Sequence, residues 1–253
     1  TFIVLTKNEE KNIKACISSA KTLAKRIIVV DSGSNDKTVE IAEQCGAETV
    51  FHEWCGHANQ FNWALDNCNI NTEWVFRLDA DERVSKELAE EIISLNDENG
   101  VNGYSMRWRV YFMDKWIKHG GTHKPYFLRL FRYGKGSVEN KIMDEHIIVE
   151  GEVKRLSNDL IHYDYKGLDA WVNKHVWYSN LEIETYNKST INKKRGFYYK
   201  LPLFLRAKLY YWYRYYFKLG FLDGREGKIF AFMQAYWYRY LVDAKIYEKE
   251  KNK

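Results

Sequence analysis

Two aspartates one residue apart, Asp79 and Asp81, follow a strand-like apolar run at residues 73–78. Carboxylates with this spacing on an extended segment can take separate tasks. One can accept hydrogen bonds from a ribose, while the other binds a hard divalent cation that bridges a diphosphate. Because a lone Asp-x-Asp pair also arises by chance in a solvated turn, it needs support from elsewhere in the chain.

A further carboxylate, Asp31, ends another strand-like run and is followed by the turn-forming residues 32–34 (SGS). Hydroxyl and amide groups of such a turn can face a ligand, so we predict that Asp31 is functional and that Asp36 caps the next helix. Glu9 follows the first strand, and we expect its carboxylate to lie close to Asp31. Carboxylates gathered in this way repel each other unless a cation or ligand donors offset their charge, so the cluster favours a ligand site.

These acidic groups need a scaffold that brings strand ends together. In the N-terminal part of the chain, strand-like runs at 2–5, 26–31, 48–51 and 73–78 alternate with helical spacing at 9–23, 37–45 and 59–67. That alternation predicts an α/β fold with a mostly parallel central sheet and helices on both faces. Ligands of such sheets bind at the carboxyl ends of the strands, where Thr6, Asp31 and Asp79 fall.

The pattern changes in the second half of the chain. Residues 104–112 and 126–131 are aromatic, arginine-rich strands, which indicate an antiparallel or mixed part, and helical spacing returns from residue 168 onward. We therefore predict one domain at residues 1–190 and a helical extension, aromatic and basic, at residues 191–253.

Three segments together resemble family 2 glycosyltransferases in order, spacing and strand context: residues 3–10 (IVLTKNEE), 28–38 (IVVDSGSNDKT) and 78–83 (LDADER). Within that family they look like the group that adds β-1,4-linked glucose to the inner core of lipopolysaccharide. The resemblance is strong in the N-terminal part and looser toward the C-terminus. It implies a GT-A fold, which is Rossmann-like, and a metal-dependent, inverting transfer of a sugar from a nucleotide donor.

The resemblance also implies roles for single residues. The nucleotide sugar would be held mainly at the strand ends, by Thr6, Asn8, Glu9, Asp31, Ser32, Asn62 and Asp79. Asp81 would bind Mn²⁺ or Mg²⁺ on the diphosphate. Ser32 stands where many members have a second aspartate, and Phe61 stands where a basic residue is usual. We expect fewer contacts to the base or phosphates at these two positions.

Inversion at the anomeric carbon needs a general base that takes the proton of the acceptor hydroxyl. This base must lie across the pocket from the diphosphate, so we expect it in the second half of the chain. Residues 143–146 (MDEH) hold the best acidic motif there, in a segment where the family places its base. Glu145 is the predicted base and Asp144 the second choice. The alternative for Glu145 is a structural ion pair with a nearby arginine.

Two further candidates lie outside these motifs. Arg195, which follows Lys193 and Lys194, could belong to a basic loop that closes over the diphosphate, or to a solvated basic helix end. His162 could be an additional metal ligand, or a histidine packed in the core after the apolar residues Leu160 and Ile161.

The C-terminal part is unusually aromatic. The chain of 253 residues has 19 tyrosines, nine tryptophans and a net charge of +5, and its residues 197–247 mix aromatic with basic side chains. Helical spacing places Arg206, Arg214 and Lys218 on one broad side. The aromatic faces could pack against the rest of the chain or contact a membrane surface, and we predict some of both. The basic groups are too few to predict a nucleic-acid partner.

The combined expectation is the transfer of a hexose from a UDP-sugar to a hydroxyl of a glycolipid or cell-surface polysaccharide. Two alternatives stay open: a polyprenyl phosphate acceptor, and a non-catalytic membrane scaffold that binds sugar nucleotides. Four cysteines without metal or disulfide spacing, and no recognisable signal peptide or membrane span, predict a cytoplasmic protein. We expect it to be peripheral on the cytoplasmic face of the membrane.

Overall fold

The computed structural model describes residues 1–96, 100–123, 125–141, 145–186, 198 and 200–252. Its strands, in chain order, are β1 Phe2–Thr6, β2 Ile27–Asp31, β3 Glu48–Phe51, β4 Trp74–Asp79, β5 Glu82–Val84, β6 Val101–Phe112, β7 Lys115–Trp116, β8 Tyr126–Arg132, β9 Gly136–Val138, β10 Ile147–Val149 and β11 Glu152–His162.

The α-helices are α1 Ile13–Ala20, α2 Thr38–Gln44, α3 His57–Asn67, α4 Lys86–Ile93, α5 Leu168–Tyr186, α6 Leu205–Trp212, α7 Gly224–Ala231 and α8 Tyr238–Lys251. Two π-helical turns, Tyr213–Phe217 and Phe232–Trp237, continue α6 and α7, and a 3₁₀ turn spans Gly220–Asp223.

The central sheet begins with the strands that alternate with helices in the sequence. The order is β3-β2-β1-β4, and the pairs β1–β2, β1–β4 and β2–β3 are parallel. All residues of β1 and β2 are buried, which explains why both read as continuous apolar runs rather than as alternating patterns. The predicted α/β fold is therefore confirmed.

The second half of the sheet is antiparallel where its pairings are defined. The order continues from β4 through β8, β6 and β11 to β5, with antiparallel pairs β4–β8, β6–β8 and β11–β5. Strands β9 and β10 form a separate two-stranded hairpin. The aromatic, arginine-rich segments thus form the mixed part that their composition predicts.

Helices cover both faces of the parallel half. Val4 and Val29 belong to one hydrophobic cluster with residues of α1, whereas Ile3 and Ile28 belong to another with residues of α3. Neighbouring residues of a strand point to opposite faces, so each strand contributes to both clusters. This packing fixes the sheet edge from which the site residues project.

The chain divides into two compact units. Unit 1 comprises Thr1–Arg109 and Lys124–Tyr165, and unit 2 comprises Val110–His123 and Lys166–Lys253. Unit 2 has its own apolar clusters, one around Phe112 and Phe230 and one around Tyr238. The predicted boundary between residues 190 and 191 lies outside the described residues.

Two chain-wide observations complete the architecture. All four cysteines lie in the described part of the chain and are free thiols. Of the helices in that part, none has both the length and the apolar content required to cross a bilayer.

Candidate functional site

Three strand ends meet at one edge of the parallel sheet. Thr6 at the end of β1 is the register partner of Asp31 at the end of β2, and Leu5 pairs with Asp79 at the end of β4. The structure thus brings Thr6, Asp31 and Asp79 to the same edge, as expected for parallel strands. Thr6 and Asp31 are buried, whereas the side chain of Asp79 is 33% exposed.

Asp31 organises the turn that follows it. One carboxylate oxygen accepts hydrogen bonds from the backbone N–H groups of Gly33 and Ser34, both at 2.8 Å, and the other accepts from the Ser34 hydroxyl. Asn8 ties the preceding loop to this turn, because its N–H donates to Ser34 Oγ and its Oδ1 accepts from Asn35 N–H, each at 2.8 Å. Asp31 and Asn8 therefore hold the loops after β1 and β2 in one arrangement.

The N-cap residue of α2 is Lys37, and Asp36, the predicted cap, lies one residue before it. Asp36 accepts hydrogen bonds from the backbone N–H (3.0 Å) and the hydroxyl of Thr38. The Thr38 hydroxyl oxygen in turn accepts from the backbone N–H of Glu9 at 2.7 Å. This links Glu9, at the rim, to the first turn of α2.

Asn12 joins this rim to a distant part of unit 1. Its side chain is fully buried, and its Nδ2 donates to the carboxylates of Glu9 and Asp164, both at 2.8 Å. Its Oδ1 accepts from the backbone N–H of Tyr165 at 2.8 Å. A buried amide with three such bonds fixes both segments, since an unpaired polar group would be costly there.

Ser32 and Asn62 make framework contacts. Gln60 donates from Nε2 to Ser32 Oγ at 3.0 Å, and both groups are buried. Asn62 donates to the carbonyl of Val138 at 2.8 Å and accepts from its N–H at 2.9 Å, which pins β9 to α3. A nucleotide-binding role for these two residues stays a prediction.

A buried arginine joins two of the acidic groups. Arg129 Nη2 lies 2.9 Å from Asp79 Oδ2 and 2.5 Å from Glu82 Oε1. The backbone N–H of Asp79 also donates to Glu82 Oε2 at 3.0 Å. Arg129 reaches this position because β8, which carries it, pairs antiparallel with β4. Asp79, Glu82 and Arg129 form a triad of charged side chains, and this triad determines the charge next to the Asp79–Asp81 motif.

Within this triad, the pKa values of the two carboxyl groups shift in opposite directions. Burial raises the pKa of Glu82 to about 7, against the opposing pull of Arg129. Burial acts in the same direction on Asp79, but the nearby Arg129 and Arg77 guanidinium groups outweigh it and hold the pKa of Asp79 well below its usual range. Asp79 is therefore an ionised hydrogen-bond acceptor at neutral pH.

Arg77 connects Asp79 to the predicted base. Its Nε lies 3.5 Å from Asp79 Oδ1, and its Nη2 lies 3.4 Å from Glu145 Oε1. The Arg77 guanidinium carbon also lies 5.6 Å from the centroid of the Phe61 ring. The ion pair that was the structural alternative for Glu145 is thus present, and it places this carboxylate beside the strand-end acids. Asp144, the second choice, lies outside the described residues.

Asp81 and His162 form the candidate metal pair. Asp81 Oδ2 and His162 Nε2 lie 3.5 Å apart, with side chains 9% and 32% exposed. The pairing of β5 with β11 aligns Glu82 with His162 and so brings the histidine next to the Asp-x-Asp motif. His162 also lies beside the Trp108 ring, with 5.8 Å between the ring centroids.

This pair fits an octahedral cation as a partial ligand set. A carboxylate oxygen and an imidazole nitrogen at this separation can bind one ion, and both groups are used by Mn²⁺-type ions. The described residues contain no group of three or more histidine, cysteine, aspartate or glutamate side chains arranged to hold a metal. A cation here would therefore need ligands beyond this pair.

Three residues near the site were not predicted from the sequence. Arg77 and Glu82 flank the Asp-x-Asp motif, and this adjacency was a usable signal. Arg129 belongs to the aromatic, arginine-rich segment, where its position is compatible with acceptor binding. Its burial between two acids depends on strand pairing, which the local sequence does not specify. Arg195, predicted to contact the diphosphate, lies outside the described residues.

Comparison with known sequences gives a consistent result. Residues 1–148 match the family model described as glycosyl transferase family 2. An uncharacterized glycosyltransferase of Rickettsia prowazekii is 30% identical, over 92% of this chain and 82% of the relative. The lipopolysaccharide core biosynthesis glycosyltransferase LpsC of Rhizobium meliloti is 29% identical, over 97% of this chain and 91% of the relative.

Comparison with solved structures finds partial similarity. Glucosyl-3-phosphoglycerate synthase of Mycobacterium tuberculosis, in complex with Mn²⁺, UDP and glucosyl-3-phosphoglycerate, matches with a TM-score of 0.37 and 23% identity. The match covers 43% of each chain. The same enzyme with Mg²⁺ and UDP gives the same values.

Proposed function

The chain belongs to glycosyl transferase family 2, and on that premise we propose that it moves a hexose from a UDP-sugar to a hydroxyl group of a glycolipid or surface polysaccharide, with inversion at the anomeric carbon. The observation that carries the proposal is the convergence of Asp31, Asp79 and the Asp81–His162 pair at one edge of the sheet. Glu145 lies close to them, because Arg77 contacts both Glu145 and Asp79.

The nucleoside would bind along the row of strand ends. Asp79 is ionised and one-third exposed, so its carboxylate can accept hydrogen bonds from ribose hydroxyls. Thr6 and Asp31 would face the base, with Asn8, Glu9 and Ser32 shaping the loops around it. Asn62 would act indirectly, by holding β9 in place.

The diphosphate would bind near Asp81 and His162, together with Mn²⁺ or Mg²⁺. Such an ion, when bound, neutralises charge on the diphosphate as it leaves the sugar. Arg77 supports the same proposal, because its guanidinium group lies over the Phe61 ring and supplies a positive charge near Asp79. Arg195 is retained as a proposed contact of the diphosphate.

Glu145 would act as the general base. Its carboxylate would take the proton of the acceptor hydroxyl as the acceptor oxygen bonds to the anomeric carbon. The bond between that carbon and the diphosphate oxygen breaks in the same step, so the nucleoside diphosphate leaves from the opposite face. A positioned base of this kind contributes about 10²- to 10⁴-fold to a rate. The contact with Arg77 would hold Glu145 in a defined orientation.

We propose a membrane-associated glycolipid as the most suitable acceptor. The similarity to a lipopolysaccharide core biosynthesis glycosyltransferase over nearly the whole chain supports an acceptor of this class. The aromatic, basic character of unit 2 supports a location on the cytoplasmic face of a membrane.

A donor panel tests the proposal directly. The protein would be incubated with Mn²⁺ and one of UDP-glucose, UDP-galactose, UDP-N-acetylglucosamine or GDP-mannose, and the released nucleotide would be measured. We expect slow hydrolysis of one UDP-hexose, and faster release with lipid-linked core oligosaccharide. UDP binding by calorimetry without release from any donor would instead support a non-catalytic scaffold.

A further inference from the structure

Residues 205–222 of unit 2 bury two arginines and expose several large apolar side chains. Arg206 and Arg214 are 1% and 9% exposed, whereas Phe217 is 83% exposed and Trp212 is 52% exposed. A helix that faces water has the opposite polarity, with its charges outward. Helical spacing predicts that Arg206 and Arg214 share one side of the segment, and the structure shows that both are buried.

Hydrogen bonds of the two buried arginines hold this side of the segment in place. Arg206 Nε lies 2.6 Å from Asp243 Oδ1, and both residues are almost fully buried. The backbone N–H of Phe204 donates to the other oxygen of Asp243 at 2.7 Å. Arg214 Nε donates to the carbonyl of Gly120 at 2.7 Å. Rotating the segment to hide its apolar side would break these contacts and leave buried charges uncompensated.

The outward side chains form one continuous face. Leu205, Leu209, Trp212 and Tyr216 follow helical spacing, and the rings of Trp212 and Tyr216 are 4.5 Å apart. Phe217 in the π-helical turn and Leu222 in the 3₁₀ turn are also exposed. We call this set the outward apolar face, and its members are Leu205, Leu209, Trp212, Tyr216, Phe217 and Leu222.

The charge around this face is positive. The sequence contains no aspartate or glutamate between residues 185 and 222. Lys208 is exposed beside the face, and Lys218 Nζ lies 5.2 Å from the centroid of the Tyr213 ring. Tryptophan and tyrosine prefer the headgroup region of a bilayer, and lysine next to them is attracted by anionic lipid.

We propose that the outward apolar face inserts into the headgroup region of a bilayer that contains anionic lipid. This inference deepens the proposed function and rests on it, because a glycolipid acceptor is held in such a bilayer. It specifies the segment that binds and the lipid chemistry that is recognised. A second copy of this chain is the competing occupant of the face, and the experiment below separates the two.

Flotation with vesicles tests the proposal. Vesicles of phosphatidylcholine alone are compared with vesicles that also contain phosphatidylglycerol. Phe217→Glu should lower the bound fraction roughly tenfold, because an exposed phenylalanine that enters the bilayer is replaced by a charge. Ile93→Glu is the matched control: Ile93 is 67% exposed on α4, outside the face, and its variant should bind like the unchanged protein.

The lipid charge is tested in the same assay. Lys208→Glu should lower binding to the phosphatidylglycerol vesicles by about fivefold or more, since the loss of one lysine near an anionic surface accounts for about fivefold and the new carboxylate is repelled by the lipid. Lys86→Glu, at an exposed position on α4, should leave binding unchanged. Circular dichroism checks the folding of each variant, and Leu222→Glu carries the same expectation if Phe217→Glu does not fold.

Two results would overturn the proposal. One is unchanged flotation of Phe217→Glu and Leu222→Glu. The other is no flotation of the unchanged protein together with a dimer, measured by light scattering, that Phe217→Glu dissociates. Donor hydrolysis in vesicle-free buffer separates this inference from the proposed function. Active protein that does not bind vesicles contradicts only the insertion, whereas bound protein without donor turnover contradicts only the proposed reaction.

Discussion

Asp79 and Glu145 contact the same guanidinium group, that of Arg77, at 3.5 Å and 3.4 Å. Asp79, the last residue of β4, is the proposed ribose ligand, and Glu145 is the proposed base. The shared arginine keeps the two carboxylates close while it offsets their repulsion. Donor binding and proton removal would therefore be coordinated through one side chain of β4.

Glu145→Gln should lower kcat about 10²- to 10⁴-fold with a hydroxyl acceptor, because the amide cannot take the acceptor proton. KM for the donor should change little. Initial rates of nucleotide release with varied donor measure both constants. Glu150→Gln, an exposed acid on the neighbouring segment, serves as the control and should retain activity. Near-normal turnover of Glu145→Gln would favour the alternative acceptor, a polyprenyl phosphate, which needs no base.

Asp81→Ala should abolish the stimulation of activity by Mn²⁺, and His162→Ala should raise the Mn²⁺ concentration required by roughly tenfold or more. Both side chains belong to the candidate pair, 3.5 Å apart. Titration of Mn²⁺ by electron paramagnetic resonance, with UDP present, measures binding independently of turnover. Asp66→Ala, at an exposed position on α3, controls for the loss of a surface acid. An Asp81→Ala protein with intact Mn²⁺ binding would refute the assignment.

Arg129→Met should lower the free energy of unfolding by about 3–5 kcal/mol, because it leaves the buried Glu82 carboxyl group without its cation. Lys86→Met removes only an exposed i,i+4 pair with Glu90 and should cost less than about 0.5 kcal/mol. Urea unfolding followed by fluorescence measures both values. Equal losses in the two variants would show that Arg129 does not hold the triad together.

His175 should make unit 2 sensitive to acid. Burial lowers its pKa to about 4, although the Trp171 carbonyl, 2.8 Å from Nδ1, acts in the opposite direction. The unfolded chain binds this proton below about pH 6.5 and the native chain only near pH 4. The stabilising contribution is therefore full above pH 6.5 and is lost as the pH falls toward 4.

Two measurements check this acid sensitivity. The free energy of unfolding should fall between pH 6.5 and pH 4, and His175→Gln should reduce that fall by about 1 kcal/mol or more. The imidazole resonance that disappears in His175→Gln should titrate near pH 4 in the unchanged protein. A midpoint of this resonance near 6.5 would contradict the prediction.

The sequence predicts the parallel half of the sheet well, because alternating apolar runs and helical spacing are local signals. The placement of Asp31 and Asp79 at one edge follows from that half alone. The position of Arg129 could not be predicted in this way, because it depends on how β8 pairs with β4. The proximity of His162 to Asp81 likewise depends on the register of β5 and β11, which no local pattern specifies.

The helical part was harder to predict for a different reason. A regular spacing of basic residues identifies a common side but not the direction in which that side faces. Arg206 faces inward because Asp243, 37 positions away, is buried opposite it. The π-helical turns also interrupt the 3.6-residue period from which the common side of Arg206, Arg214 and Lys218 was predicted.

The hydrogen bonds of Asn12 span 152 positions of the chain, from the loop after β1 to Asp164. A nascent polypeptide could therefore build β1, α1 and β2 early, yet could not lock this loop until residue 165 had been synthesised. Binding competence would arise late in translation, in a single closing event rather than strand by strand. A chain truncated before this residue would contain the strands of the sheet but would lack the hydrogen bond between Tyr165 and Asn12 that helps to anchor this loop.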